Sequence, residues 1–209
     1  MNTLDYITEK YQTARTGKVE IPGVDRLDLA SLFSELGFRT GVEVGTERGV
    51  YAKALCNRIR GLKLSCVDGW AAYKGYREHV SQAKLDSFYA ETAERLSPYD
   101  VTLVRKFSVE AAKGFADGSL DFVYLDANHD YGHVVADLCA WTPKVKKGGI
   151  VAGHDYIRRS NPEYPIGVVE AVDGYVSAHR IDPLFILGRK ERREGEKRDD
   201  ARSWMFVVL

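Results

Sequence analysis

The chain has few cysteines: three in 209 residues, Cys56, Cys66 and Cys139. All lie in apolar surroundings and none is spaced C-x-x-C, which argues against a disulfide framework and a zinc site and for reduced, buried thiols. Excess charge of either sign is also missing, since 30 basic and 30 acidic residues cancel. The one dense run, RKERREGEKRDDAR at 189–202, mixes signs as a solvated connection between strands does. No nucleic-acid partner is expected from that balance. No stretch approaches the roughly 18 apolar residues of a membrane span, and the opening residues lack the apolar centre of a signal peptide. A cytoplasmic protein with no membrane partner is therefore expected. Repeats and low-complexity segments are absent, which excludes solenoids and linker-rich architectures. At this length the chain suits one domain with a full core, 1–209.

A pattern close to a known fingerprint, yet different from it, is what the sequence does have. In GVEVGTERGVYAKALC, 41–56, a β-branched run meets a glycine turn and then an amphipathic stretch. The dinucleotide fingerprint G-x-G-x-x-G would suit such a place. Here Glu43 stands at the first glycine and Arg48 at the third, leaving Glu43, Gly45 and Gly49 as E-x-G-x-x-x-G. A carboxylate aimed at a ligand repels a pyrophosphate and suits a cation or a hydroxyl-bearing group.

Periodicity predicts helices over 3–15 and 26–37, the second with Leu29, Leu32, Phe33 and Leu36 at helical spacing. TGVEVG is then a strand and VYAKALCNRIRG a helix capped by Gly61. LKLSCVD, DVTLVRKFS, LDFVYLDA and GGIVAGHDY are further strands, separated by helices over 80–96, in SVEAAKGF and in HVVADLCAWTPKV. A helix in IGVVEAVDGYVSAH follows, then strands in DPLFILG and ARSWMFVVL. Strands that are continuous apolar runs are covered on both faces, so the fold class is α/β, with a doubly wound, mainly parallel sheet. The last two strands are expected as a C-terminal antiparallel pair completing the sheet edge. The parts are N-terminal helices (1–39), a ligand-binding core (40–156) and a C-terminal part (157–209).

In such a sheet ligands bind beyond the carboxyl ends of the strands. Those ends carry Glu43, Asp68, Ser108, Asp126 and the His154-Asp155 pair, four of five with an ionisable group, which a purely structural sheet does not need. Asp68 follows Glu43 by 25 residues, the place from which a carboxylate accepts hydrogen bonds from both ribose hydroxyls. Asp126 and His154-Asp155 close neighbouring strands about 4.8 Å apart and can converge on one point.

From Gly41 to Tyr156 the chain resembles class I S-adenosylmethionine-dependent methyltransferases, with Glu43-x-Gly45 as first motif and Asp68 as the ribose-binding acid. LDANHDY and GGIVAGHDY, about 25 residues apart, resemble more narrowly methyltransferase family 24 and its small-molecule O-methyltransferases of antibiotic and sugar pathways. The resemblance implies a Rossmann-like methyltransferase fold, S-adenosyl-L-methionine as cofactor and a hydroxylated small molecule as acceptor. It places Glu43 at the cofactor's methionine end, with Gly45, Thr46 and Gly49 allowing close approach, and adenine between Asp68-Gly69-Trp70 and the segment around Ser108. Ser108 would bond the base edge or cap the helix SVEAA.

Related O-methyltransferases hold magnesium at the strand ends carrying Asp126 and His154-Asp155. Here His154 and Asn128 replace acidic oxygens, a departure from the magnesium pattern, so Asp126, His154 and Asp155 form a two-carboxylate, one-imidazole set closer to what manganese, iron or zinc accepts; a divalent metal (magnesium, manganese or iron) is the expectation. The alternative is a metal-free site in which Asp126, His129 and His154 do acid-base work. His129 is the general-base candidate; otherwise it caps the helix near Gly132 or packs on Tyr131. His133 is expected to face solvent. WAAYKGYREH (70–79) and YIRRSNPEYPIG (156–167) should overhang the site and recognise the acceptor, while Trp141 and Trp204 belong to the core. A ferrous hydroxylase on the same fold and a non-catalytic cofactor-binding module remain open, as does the oligomeric state, a homodimer being common for such folds.

Overall fold

All six residues of LDFVYL are buried, so this strand must be covered on both faces. In the computed structural model, which describes residues 2–73, 80–158, 166–191 and 193–209, it is a central strand of one eight-stranded sheet. The strands are β1 (Lys18–Ile21), β2 (Thr40–Val44), β3 (Lys63–Asp68), β4 (Val101–Arg105), β5 (Leu120–Leu125), β6 (Val145–Gly153), β7 (Leu184–Leu187) and β8 (Trp204–Val207). Their order is β1-β7-β8-β6-β5-β2-β3-β4. β8 runs antiparallel to both neighbours, and the other pairings are parallel.

Helices cover both faces. α1 (Thr3–Tyr11), α2 (Arg26–Glu35) and α3 (Val50–Arg58) bury Ile7, Leu29, Phe33, Tyr51 and Leu55 against Phe122 and Tyr124 of β5. α5 (Ser108–Ala112), α6 (Tyr131–Trp141) and α7 (Val168–Ala178) bury Ala111, Leu138, Trp141 and Val172 against Val123 and Leu125 on the other face. α4 (Gln82–Leu96) follows β3 and packs on α3. Among the described residues no helix is long and apolar enough to cross a membrane.

The doubly wound sheet and its antiparallel pair match the expectation from sequence, with local differences. β7 and β8 do not end the sheet, because β1 pairs parallel with β7 and forms the edge. KVEI alternates exposed and buried over four residues, too short a run to stand out between two helices. α1 stops at Tyr11, where Gln12 takes a left-handed φ of 50°. α3 is capped by extended Ile59 instead of Gly61, which sits at φ 74° in the turn beyond. Cys66 is buried as expected, but Cys56 is half-buried and Cys139 is exposed. The charged run is laid across the start of α2: Lys197 pairs with Asp25 and Asp28, Arg202 with Glu20, and Asp199 accepts from the Arg26 amide at 2.9 Å.

Candidate active site

Strand register decides which side chains meet at the carboxyl edge of the sheet. Val44 pairs with Leu125 and Leu125 with Gly153, so Gly45, Asp126 and His154 leave three adjacent strands at one level. Backbone bonds continue the pairing past the strands: Asp126 N donates to Val44 O at 2.8 Å, His154 N to Leu125 O at 3.1 Å and Gly45 N to Val67 O at 2.8 Å. At Gly45 φ is +91°, and a Cβ would stand 2.1 Å from the carbonyl oxygen of Asp126. Only glycine fits there.

Beyond these ends lies a cavity of about 320 Å³, at the small end of the range for ligand pockets. Gly45, Asp68, Gly69, Ser108 and Asp126 line it, joined by Val67, Tyr73, Leu85, Phe107, His133 and Asp137. Asp68 Oδ2 accepts from the Glu47 amide at 2.9 Å and Oδ1 from the Trp70 amide at 2.8 Å, and each oxygen keeps a further lone pair. Glu43, Thr46, Gly49 and Trp70 are not in the cavity wall. Glu43 is in register with Cys66 and Tyr124, on the α3 face of the sheet, and is buried with Oε2 unpartnered. Burial pushes its carboxyl up to about 8; a Thr46 hydrogen bond opposes this, and the charges of Asp126 and Asp68 add to it. Trp70 is buried against Tyr89, with Nε1 donating to Glu47 O at 2.7 Å.

Ser108 does not cap α5; Phe107 holds the cap position without a side-chain bond. The Ser108 hydroxyl donates to Asp137 Oδ1 and accepts from Trp141 Nε1 at 2.9 Å. His133 is half exposed on the rim, 3.3 Å from Asp130, and its ring lies 5.9 Å from that of Tyr73.

Asp126 also belongs to a second group. His129 Nε2 lies 3.4 Å from Asp126 Oδ1 and 3.1 Å from Asp155 Oδ2, while His154 Nδ1 lies 3.2 Å from Asp155 Oδ2 and 3.9 Å from Asp126 Oδ2. His129 does not cap α6, a role taken by Asp130, whose carboxylate accepts from Gly132 N at 3.0 Å. Asn128 fixes the intervening loop, donating to Tyr73 Oη at 2.7 Å and accepting from Asp130 N at 2.8 Å. Burial raises the Asp126 carboxyl against the pull of His129 and His154. Burial acts the same way on Asp155, but bonds and charges from His154 and His129 outweigh it and hold that carboxyl below its ordinary value. Asp155 reaches the cluster through a left-handed φ of 54°.

The donor set suits a divalent cation. One ligand atom each from Asp126, His154 and Asp155 lies within 4.8 Å of the others, against about 3 Å between ligands of one octahedral ion with bonds near 2.1 Å. His154 Nδ1 to Asp155 is already at that separation. Two carboxylates and an imidazole favour manganese or iron over magnesium, which selects oxygen ligands.

A family model described as a methyltransferase domain, methyltransferase family 24, matches residues 42–156. The chain belongs to methyltransferase family 24. It is an S-adenosylmethionine-dependent methyltransferase, and the matched segment runs from β2 to the residue after the His154-Asp155 pair. Comparison with curated protein sequences finds no match. Similar solved structures include a candidate caffeoyl-CoA O-methyltransferase from Staphylococcus aureus, with 14% identity and TM-score 0.61 over 98% of this chain and 90% of that one. The O-methyltransferase from Bacillus cereus in complex with SAH has 17% identity and TM-score 0.62 over 87% and 79%. The N-methyltransferase NodS from Bradyrhizobium japonicum has 12% identity and TM-score 0.57 over 88% and 94%. At these identities the likeness is one of fold, and names with both oxygen and nitrogen acceptors leave the acceptor atom of this methyltransferase to be argued from its site.

Two site residues escaped the reading of the sequence. Asp137 carries a signal that could have found it: an acid on the buried face of α6, between Val134, Leu138 and Trp141. Arg26, with Nη1 3.9 Å from Asp126 and its guanidinium over the Tyr51 ring, comes from a distant helix start and carries none. Of the two acceptor segments, 74–79 and 159–165 lie outside the described residues.

Proposed function

We propose that this methyltransferase transfers the methyl group of S-adenosylmethionine to a hydroxyl oxygen of a small molecule. The observation that carries the reading is the double membership of Asp126, which lines the cavity and forms one corner of the His129–Asp155–His154 cluster. A cofactor whose ribose bonds Asp68 and whose methionine end passes Gly45 would direct its methyl group towards that cluster.

The cofactor brings an already reactive sulfonium methyl, so the protein's work is alignment and proton removal. The Asp126–His129–Asp155 group, in which His129 Nε2 lies 3.4 Å from Asp126 and 3.1 Å from Asp155, would take up the acceptor's hydroxyl proton. The C–S bond breaks as the C–O bond forms, leaving S-adenosylhomocysteine and a methyl ether. A divalent cation on Asp126, His154 and Asp155 would supply Lewis acidity at the acceptor oxygen. A nitrogen acceptor would make no use of this cation set.

The test is transfer of labelled methyl from S-adenosylmethionine to a set of vicinal diols, sugars and catechols, with manganese or with a chelator. Transfer to oxygen that falls at least 100-fold in His129→Ala, with S-adenosylhomocysteine binding retained, supports the assignment. Transfer only to amines, or an unchanged rate in that variant, refutes it.

A further inference from the structure

One polar group in the cavity wall is not a strand-end acid. Val67, Leu85, Phe107 and Val109 are among the apolar residues that line the cavity, and Asp137 of α6 joins the wall beside Ser108. The Asp137 side chain is buried, with 6% of the residue exposed. Its Oδ1 is bonded by the Ser108 hydroxyl, whose own acceptor site is taken by Trp141 Nε1. Trp141 thus fixes the hydroxyl so that its proton points at Asp137 and is withheld from a ligand. Among the described residues no donor is recorded on Oδ2, and Asp137 is part of the cavity wall. A carboxylate locked by one oxygen in the wall of a largely apolar cavity can accept with the other an N–H from the edge of a bound ring.

We propose that Asp137 is the specificity-determining residue for the base of the cofactor, accepting a hydrogen bond from the exocyclic 6-amino group of adenine. The inference rests on the reading of this cavity as the nucleoside site, and it gives the base edge to α6, where the sequence had offered Ser108 either for that role or as a helix cap. Ser108 and Trp141 become positioning residues that orient the carboxylate. His133 is the other titratable group acting on it.

The test compares S-adenosylhomocysteine with its counterpart lacking the 6-amino group, by calorimetry on the native protein at neutral pH. Leaving a buried carboxylate oxygen without its donor costs about 2 kcal/mol or more, so the 6-unsubstituted ligand should bind at least thirtyfold more weakly. In Asp137→Ala the ratio should fall below threefold, whatever happens to the absolute affinities. Should that variant fail to fold, Asp137→Leu offers the same readout in an apolar isostere. Equal affinities for the native protein, or a preference that survives removal of the carboxylate, overturns the assignment while leaving the methyltransferase reading intact. Failure to bind S-adenosylhomocysteine at all overturns both.

Discussion

Glu43→Gln isolates what the proton on the buried glutamate does for the fold. In the folded chain its carboxyl is raised from the ordinary 4.5 to about 8, first by burial, and its Oε2 has no hydrogen-bond partner. A raised folded value means that the native state holds the proton more tightly than the unfolded chain. The stability this provides is complete below about pH 4.5, declines as pH rises because only the unfolded chain ionises, and is lost by about pH 8. Each tenfold difference in proton affinity is worth about 1.4 kcal/mol, so the native protein loses about 3 kcal/mol from this one group between pH 4.5 and pH 7. Glutamine keeps the shape of the protonated acid and removes the titration. Urea unfolding of both proteins at intervals from pH 5 to pH 8.5 should show the variant's relative stability rising by about 3–5 kcal/mol across the range. Parallel stability curves would refute the reasoning, because they would mean that Glu43 is already ionised and compensated.

Gly45→Ala should abolish S-adenosylhomocysteine binding in calorimetry, since its methyl would meet the Asp126 carbonyl at 2.1 Å and displace the turn that carries both groups; binding within tenfold of native would show that the turn has room to move. Asp121, on β5 away from the cavity, accepts from Arg39 N at 2.6 Å and Thr40 N at 2.8 Å and pairs with Lys146. Although burial acts to raise its carboxyl, these partners hold it below 3.8, so Asp121→Asn should cost about 1–2 kcal/mol at pH 7 and progressively less as acid protonates the native aspartate. A cost that stays constant from pH 7 to pH 2.5 in denaturant titrations would contradict this.

How much of this was legible depends on how far each signal extends along the chain. The sheet was readable because β2, β3, β5 and β6 are apolar runs, each followed by a helical period, and the strand-end rule then selected Asp68, Asp126, His154 and Asp155. β1 was not, since four alternating residues gain their meaning only from β7, more than 160 residues later. The same limit explains the second row of contacts. Ser108 looked like a cap because its neighbours fit a helix start, yet its partners are Asp137 and Trp141 on α6. Glu43 was read as facing the ligand because it precedes the glycine turn; strand alternation, with Val42 and Val44 on the α5–α7 face, puts it on the opposite one.

The strand-end acids also hold the site's strained backbone. Of the five non-glycine residues with left-handed φ among those described, three stand here: Glu47 at 48°, Trp70 at 40° and Asp155 at 54°. Each such conformation costs about 1–3 kcal/mol and persists only where surroundings impose it. Asp68 binds the amides of Glu47 and Trp70 with its two oxygens, and α4 completes the clamp: Thr92 Oγ1 donates to Glu47 O and Gln82 Nε2 to Trp70 O, both at 2.9 Å. Asp155 is held by the imidazoles of His129 and His154. The carboxylates that line the cavity and the neighbouring cluster are thus the ones that hold these loops in shape. On the function proposed above, removing Asp68 would both take acceptors from the ribose and release the two turns beside the cavity, which makes ligand affinity alone a poor measure of what that aspartate contributes.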